Sequence, residues 1–160
     1  MLRKLIIKPL PATPDATTGE IDIATVATVQ VTSEAPDHPI DLAFDDHRGP
    51  GGTRWIAWEA GEQTVTLVFD APQAINQILL EVEELGVPRT QELQLSLSCD
   101  GGRTYRELLR QEFNFSPPGT TFEREHWAVT AESVTHVRLV IKPDKGDKPC
   151  RATLTSLVIR

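Results

Sequence analysis

The stretch 91-QELQLSLSCDGGRTY-105 decides the fold. Its first half alternates strictly. Leu93, Leu95 and Leu97 fall on one side, and Glu92, Gln94, Ser96 and Ser98 on the other. That period of two is the mark of a strand with one buried face. Its second half is a turn. Asp100 can accept backbone N–H bonds across the loop, Gly101 and Gly102 supply positive φ, and Tyr105 opens a return strand. A strand, a tight turn and a second strand make a hairpin, the unit of antiparallel architecture.

The spacing Ser98-x-Asp100-x-Gly102-x-Thr104 is also that of the aspartate-box turn repeated on sialidase propeller blades. A propeller of four blades needs about sixteen strands. The motif occurs once here, and no fixed period repeats along the 160 residues, so it reads as a hairpin turn and not as a fragment of that enzyme.

The same alternation recurs outward from the hairpin. It appears in 63-QTVTLVFD-70 and in 136-HVRLVIK-142. Further strand candidates are 3–8, 22–32, 74–84, 105–113, 121–129 and 152–159, each bounded by Pro, Gly, Asp or Asn. Helical periodicity is confined to 37-DHPIDLAFDD-46, where Asp37 is placed to cap and Pro39 sits early. About eight strands and one short helix predict an all-β antiparallel sandwich. A body of 21–160, with residues 1–20 as an arm or extra edge strand, is the expected organisation.

The net charge of −7 disfavours gripping nucleic acid by bulk charge. Residues 120–160 nevertheless carry seven Lys/Arg against five Asp/Glu, mostly through 142-KPDKGDKPCR-151, read as a solvated charged loop. Two cysteines, Cys99 and Cys150, are too few for a disulfide framework and have no metal-type spacing. No apolar run approaches the ~20 residues of a membrane span, and Leu5-Ile6-Ile7 is short for a signal core. A cytoplasmic address and no membrane are the expectations.

In order, 43-AFDDHRGPGGTRW-55, 64-TVTLVF-69, 75-INQILLEV-82, 93-LQLSLSCDGGRTY-105 and 136-HVRLVIK-142 resemble the discoidin, or coagulation factor 5/8 type C, family of the galactose-binding-like superfold. The likeness covers roughly residues 25–160. It implies a jelly-roll sandwich that recognises its ligand through loops at one end. It also implies a structural calcium held by the turn at Asp45 and Asp46 and by the carbonyl near Thr53. A departure is visible: the family's Asp-Gly is Asp45-Asp46 here, and Ser156 stands near the place of a last-strand Glu. Losing a carboxylate weakens an oxygen site that needs about six to eight ligands. The stretches 54–70 and 137–160 also resemble the amino-terminal domain of a scaffold of DNA single-strand-break repair. That likeness implies a domain that docks a protein partner and weakly contacts nucleic acid.

Enzyme constellations are missing: no G-x-S-x-G, no phosphate-binding glycine loop, no H-E-x-x-H. Asp37-His38 and Asp46-His47 could hold a transition metal, but both lie in a turn-rich segment where polar residues are ordinary. The run 81-EVEE-84 reads as the polar rim of a strand. The expectation is a non-catalytic module for a protein or carbohydrate ligand. Trp55 is assigned to packing. The candidate ligand residues are His47, Arg48, Trp58 and Asn114: an aromatic plate and polar groups on loops held by rigid sheets.

Overall fold

The computed structural model describes residues 19–160; the 3–8 strand candidate lies outside them. Eight strands are described: β1 Ala27–Val31, β2 Trp55–Ala60, β3 Gln63–Glu83, β4 Arg89–Ser98, β5 Arg106–Phe115, β6 Phe122–Lys142, β7 Arg151–Leu154 and β8 Ser156–Ile159. Every pairing is antiparallel. The large sheet runs β1-β3-β6-β4-β5, with β8 added beside β3, and β2 pairs β7 in a second sheet. The all-β antiparallel sandwich expected from the alternation is what the chain forms.

Two pairs of expected strands are fused. Segments 63–70 and 74–84 are one strand, β3, and 121–129 and 136–142 are one strand, β6. At about 3.3 Å per residue, 21 residues would stretch ~70 Å. A chain of this length has a radius of gyration of only roughly 15 Å. The strands must therefore bend, and the register between them breaks at Val68/Gln73, Gln73/Ile75 and Ile75/Gln77. Bulges absorb such bends. On one side of the break β3 pairs β1, and on the other it pairs β8. Periodicity sees two strands because the bulge resets the alternation.

The opposite error occurs at the carboxyl end. The expected strand 152–159 is split at Thr155 into β7 and β8, because Thr155 turns its N–H to the Glu81 carbonyl and accepts the Glu83 N–H on its hydroxyl. The expected start of a strand at 22 is a single helical turn, α1 Ile23–Val26. The 37–46 helix shrinks to a 3-10 turn, Ile40–Ala43, and Asp37 does not cap it. Glu34 does that work, its Oε2 accepting the Ile40 N–H at 2.8 Å.

The core is the inward set of the alternating strands: Val65 and Leu67, Ile78 and Leu80, Leu93 and Leu95, Val137, Leu139 and Ile141, with Trp55 fully buried. Both cysteines are free thiols, Cys99 exposed and Cys150 buried. Burial pushes the Cys150 thiol pKa up.

Candidate functional site

The connection from the 3-10 turn to β2 carries Asp45, Asp46, His47, Arg48 and Thr53, and it is held from beneath. Ile78, Leu80 and Val82 of β3 point into the core. The intervening Glu81 and Glu83 turn the other way, yet are only 5% and 3% exposed. Glu81 Oε2 accepts the Gly49 N–H at 2.7 Å, and Glu83 Oε2 accepts the Gly51 N–H at 2.9 Å. Each carboxylate also meets a guanidinium: Glu81 with Arg124 at 2.7 Å, Glu83 with Arg54 at 3.0 Å. The expected polar rim is thus a pair of buried clamps. Buried charges persist only when paired and hydrogen-bonded, and here the loop backbone and two arginines supply the partners. A sequence signal existed: acids at alternate positions of an otherwise apolar strand.

Gly52 completes the loop. A Cβ on it would lie 2.4 Å from the His47 carbonyl oxygen. Only glycine lets the two backbone segments approach so closely.

The loop's own polar groups are largely spent on each other. Asp45 is partly buried, which opposes ionisation, but bonds from the Thr53 hydroxyl and the His47 N–H outweigh that and hold its carboxyl below the usual range. Arg48 spans Glu20 at 2.9 Å and Asp46 at 2.7 Å. That bidentate bond keeps the Glu20 carboxyl below its ordinary value. Arg160 reaches the same carboxylate at 3.2 Å. Arg48 and Asp46 line a cleft of about 240 Å³ between this loop, Glu20–Ile23 and β8.

Calcium does not fit this arrangement. It needs about six to eight oxygens. Both Asp45 oxygens already accept hydrogen bonds, and Asp46 faces a guanidinium. Ser156 pairs with Glu81 across β8 and β3, so a carboxylate does lie beside the expected last-strand position. It is occupied by the Gly49 N–H and Arg124. Among the described residues no three His, Cys, Asp or Glu side chains are placed to hold a metal ion.

The four candidate ligand residues do not converge. His47 is exposed beside Asp45. Asn114 lies within β5 and not in the following loop; its Oδ1 accepts the Thr90 hydroxyl at 2.7 Å. Trp58 stands on β2, 55% exposed, with the Arg151 guanidinium 5.3 Å from its ring. Among the described residues no hydrogen bond, ion pair or ring contact links Trp58 or Asn114 to the loop. The β2 backbone under Trp58 is fixed, since the Ser33 hydroxyl oxygen accepts both the Trp58 and Glu59 N–H groups at 3.1 Å. Trp127, by contrast, packs partly buried against the core. In the 142–151 loop, Lys142 pairs Asp147, Lys145 pairs Glu112, and Lys148 donates to the Pro88 carbonyl.

No protein-family model matches the chain, and no curated protein matches it in sequence. Solved structures do match in shape. The module CBM32-3 of a family 31 glycoside hydrolase from Clostridium perfringens superposes with a TM-score of 0.64 at 17% identity, covering 90% of this chain and 96% of that one. A CBM32 module of the same organism, in complex with GalNAc-β-1,3-galactose, gives 0.60 at 22% identity, over 88% and 98%. The family 32 module of NanJ, also from C. perfringens and in complex with galactose, gives 0.59 at 14%, over 88% and 96%. The chain therefore shares the antiparallel β-sandwich fold of these CBM32 modules, over 88–90% of its length.

Proposed function

We propose that this chain is a non-catalytic carbohydrate-binding module with Trp58 as its sugar platform. The observation that carries the reading is the indole itself: exposed, on a strand, over a backbone pinned by Ser33. A sugar presents an apolar face of C–H groups that an aromatic plate can cover, and hydroxyls that planar polar groups can reach. A strand whose backbone is already fixed loses little freedom on binding, which favours affinity. Arg151 flanks the plate with a donor, its guanidinium 5.3 Å from the ring centroid. The likeness in shape to modules whose crystals hold galactose and GalNAc-β-1,3-galactose supports the same reading.

The test is a glycan array followed by calorimetry on any hit. Trp58→Ala should abolish binding while leaving the melting temperature unchanged. Binding that survives in Trp58→Ala would move the site elsewhere, and His47→Ala and Asn114→Ala would then be compared.

A further inference from the structure

The Ser98–Thr104 hairpin turn has a neighbour that the Trp58 site leaves unused. Asp100 accepts the Thr104 N–H at 2.9 Å, the Thr104 hydroxyl at 2.6 Å and the Ser98 hydroxyl at 2.8 Å. The Ser98 oxygen in turn accepts the Gly102 N–H at 2.9 Å. The turn is therefore rigid. A Cβ on Gly102 would lie 3.2 Å from His136 Nε2 and 3.4 Å from Tyr105 Oη, so the turn packs tightly against both rings. Tyr105 meets His136 edge-on, with centroids 6.4 Å apart. It lies flat beneath Arg138, whose Cζ is 3.8 Å from the ring centroid.

Arg138 stands on the face of β6 opposite the buried Val137 and Leu139, in register with Thr66 and Ser96. The other half-buried arginines all face carboxylates: Arg48 and Arg160 face Glu20, Arg54 faces Glu83, and the buried Arg89 faces Glu84. Among the described residues, Arg138 has neither an ion pair nor a hydrogen-bond acceptor, and its Nε is shut off from solvent. A guanidinium partly withdrawn from water attracts an anion more strongly than a fully hydrated one, because the effective dielectric is lower. A buried donor without an acceptor calls for an explanation.

We infer that Tyr105, His136 and Arg138 form a second binding site, separate from Trp58, for a carboxylate-bearing small ligand. One guanidinium presents a planar fork that matches the two oxygens of a carboxylate. Tyr105 is a positioning residue: its ring holds the guanidinium flat, and the Asp100 turn holds the ring. The Tyr105 hydroxyl and His136 Nε2 make no hydrogen bond among the described residues.

The test is a titration of the whole chain followed by NMR at the arginine Nε–Hε resonances. The probes are sodium galacturonate, sodium acetate and galactose. Galacturonate should shift the Arg138 signal with an affinity of about 1–10 mM, and galactose should not. Acetate matching galacturonate would show that the carboxylate alone is recognised; galacturonate alone would point to an acidic sugar. Arg138→Gln should weaken binding at least about tenfold. Should that variant fail to fold, Arg138→Lys keeps the charge without the fork and should bind more weakly than wild type. Tyr105→Phe should bind nearly as well and Tyr105→Leu poorly. Trp58→Ala should leave the galacturonate response intact, which separates this site from the sugar platform. No shift from either carboxylate up to about 100 mM, an equal shift from galactose, or undiminished binding by Arg138→Lys would overturn the assignment.

Discussion

Replacing Glu83 with glutamine tests whether buried carboxylates hold the 45–54 loop. The substitution keeps shape and one acceptor for the Gly51 N–H, but it strips the charge that Arg54 faces at 3.0 Å. Removing one partner of a fully buried pair costs about 3–5 kcal/mol. The Arg54 side chain is 23% exposed, so water recovers part of that. A hydrogen bond to a charged group is worth about 1.5–3 kcal/mol, and an expected loss of about 2 kcal/mol follows. For a domain of this size that corresponds to a melting temperature lower by roughly 4–8 °C. Urea unfolding of wild type, Glu83→Gln, Arg54→Met and the double variant would close a cycle. A coupling of about 1 kcal/mol or more is expected between residues in contact. Calcium and EDTA should leave all four midpoints unchanged, because the loop's oxygens are already taken. A Glu83→Gln variant within about 0.5 kcal/mol of wild type, or a loss restored by calcium, would refute the clamp.

Trp58→Ala should change stability by less than about 0.5 kcal/mol in urea unfolding, as befits an exposed side chain. Gly52→Ala should destabilise by at least about 1 kcal/mol, since its Cβ would press on the His47 carbonyl; equal midpoints would show that the loop yields. Asp100 is held well below the usual carboxylate range, first by the Thr104 hydroxyl and then by the Thr104 N–H. Its folded pKa is depressed, so its contribution is complete above the unfolded value of about 3.9 and is lost as pH falls towards the folded one. The stability gap between wild type and Asp100→Asn should therefore persist at neutral pH and narrow below about pH 4; a gap independent of pH down to acid unfolding would contradict the hydrogen-bonded turn.

The local code of this chain was legible without coordinates. Alternation at 63–70, 91–98 and 136–142 names strands because one side of each must leave water. The Ser98–Thr104 turn is equally local: Asp100 and the two glycines satisfy a hairpin within seven residues, and Asp100 bonds as its type demands. Trp55 and Trp58 separate for the same reason, since residues three apart on a strand have opposite parity. The order of such pieces sufficed for the sandwich.

What no local pattern contains is which distant groups meet. Glu81 and Glu83 look like a polar rim until the loop 32 residues earlier folds over them and Arg54 and Arg124 arrive. His47, Arg48, Trp58 and Asn114 look like one polar constellation until three separate elements carry them apart. Arg138 and Tyr105, 33 positions apart, stack only because β4 brings the turn alongside β6. Periodicity reports a side chain's exchange between water and core, which is settled within a strand. Ion pairs and stacking depend on register between strands, and that is decided only when the sheets close.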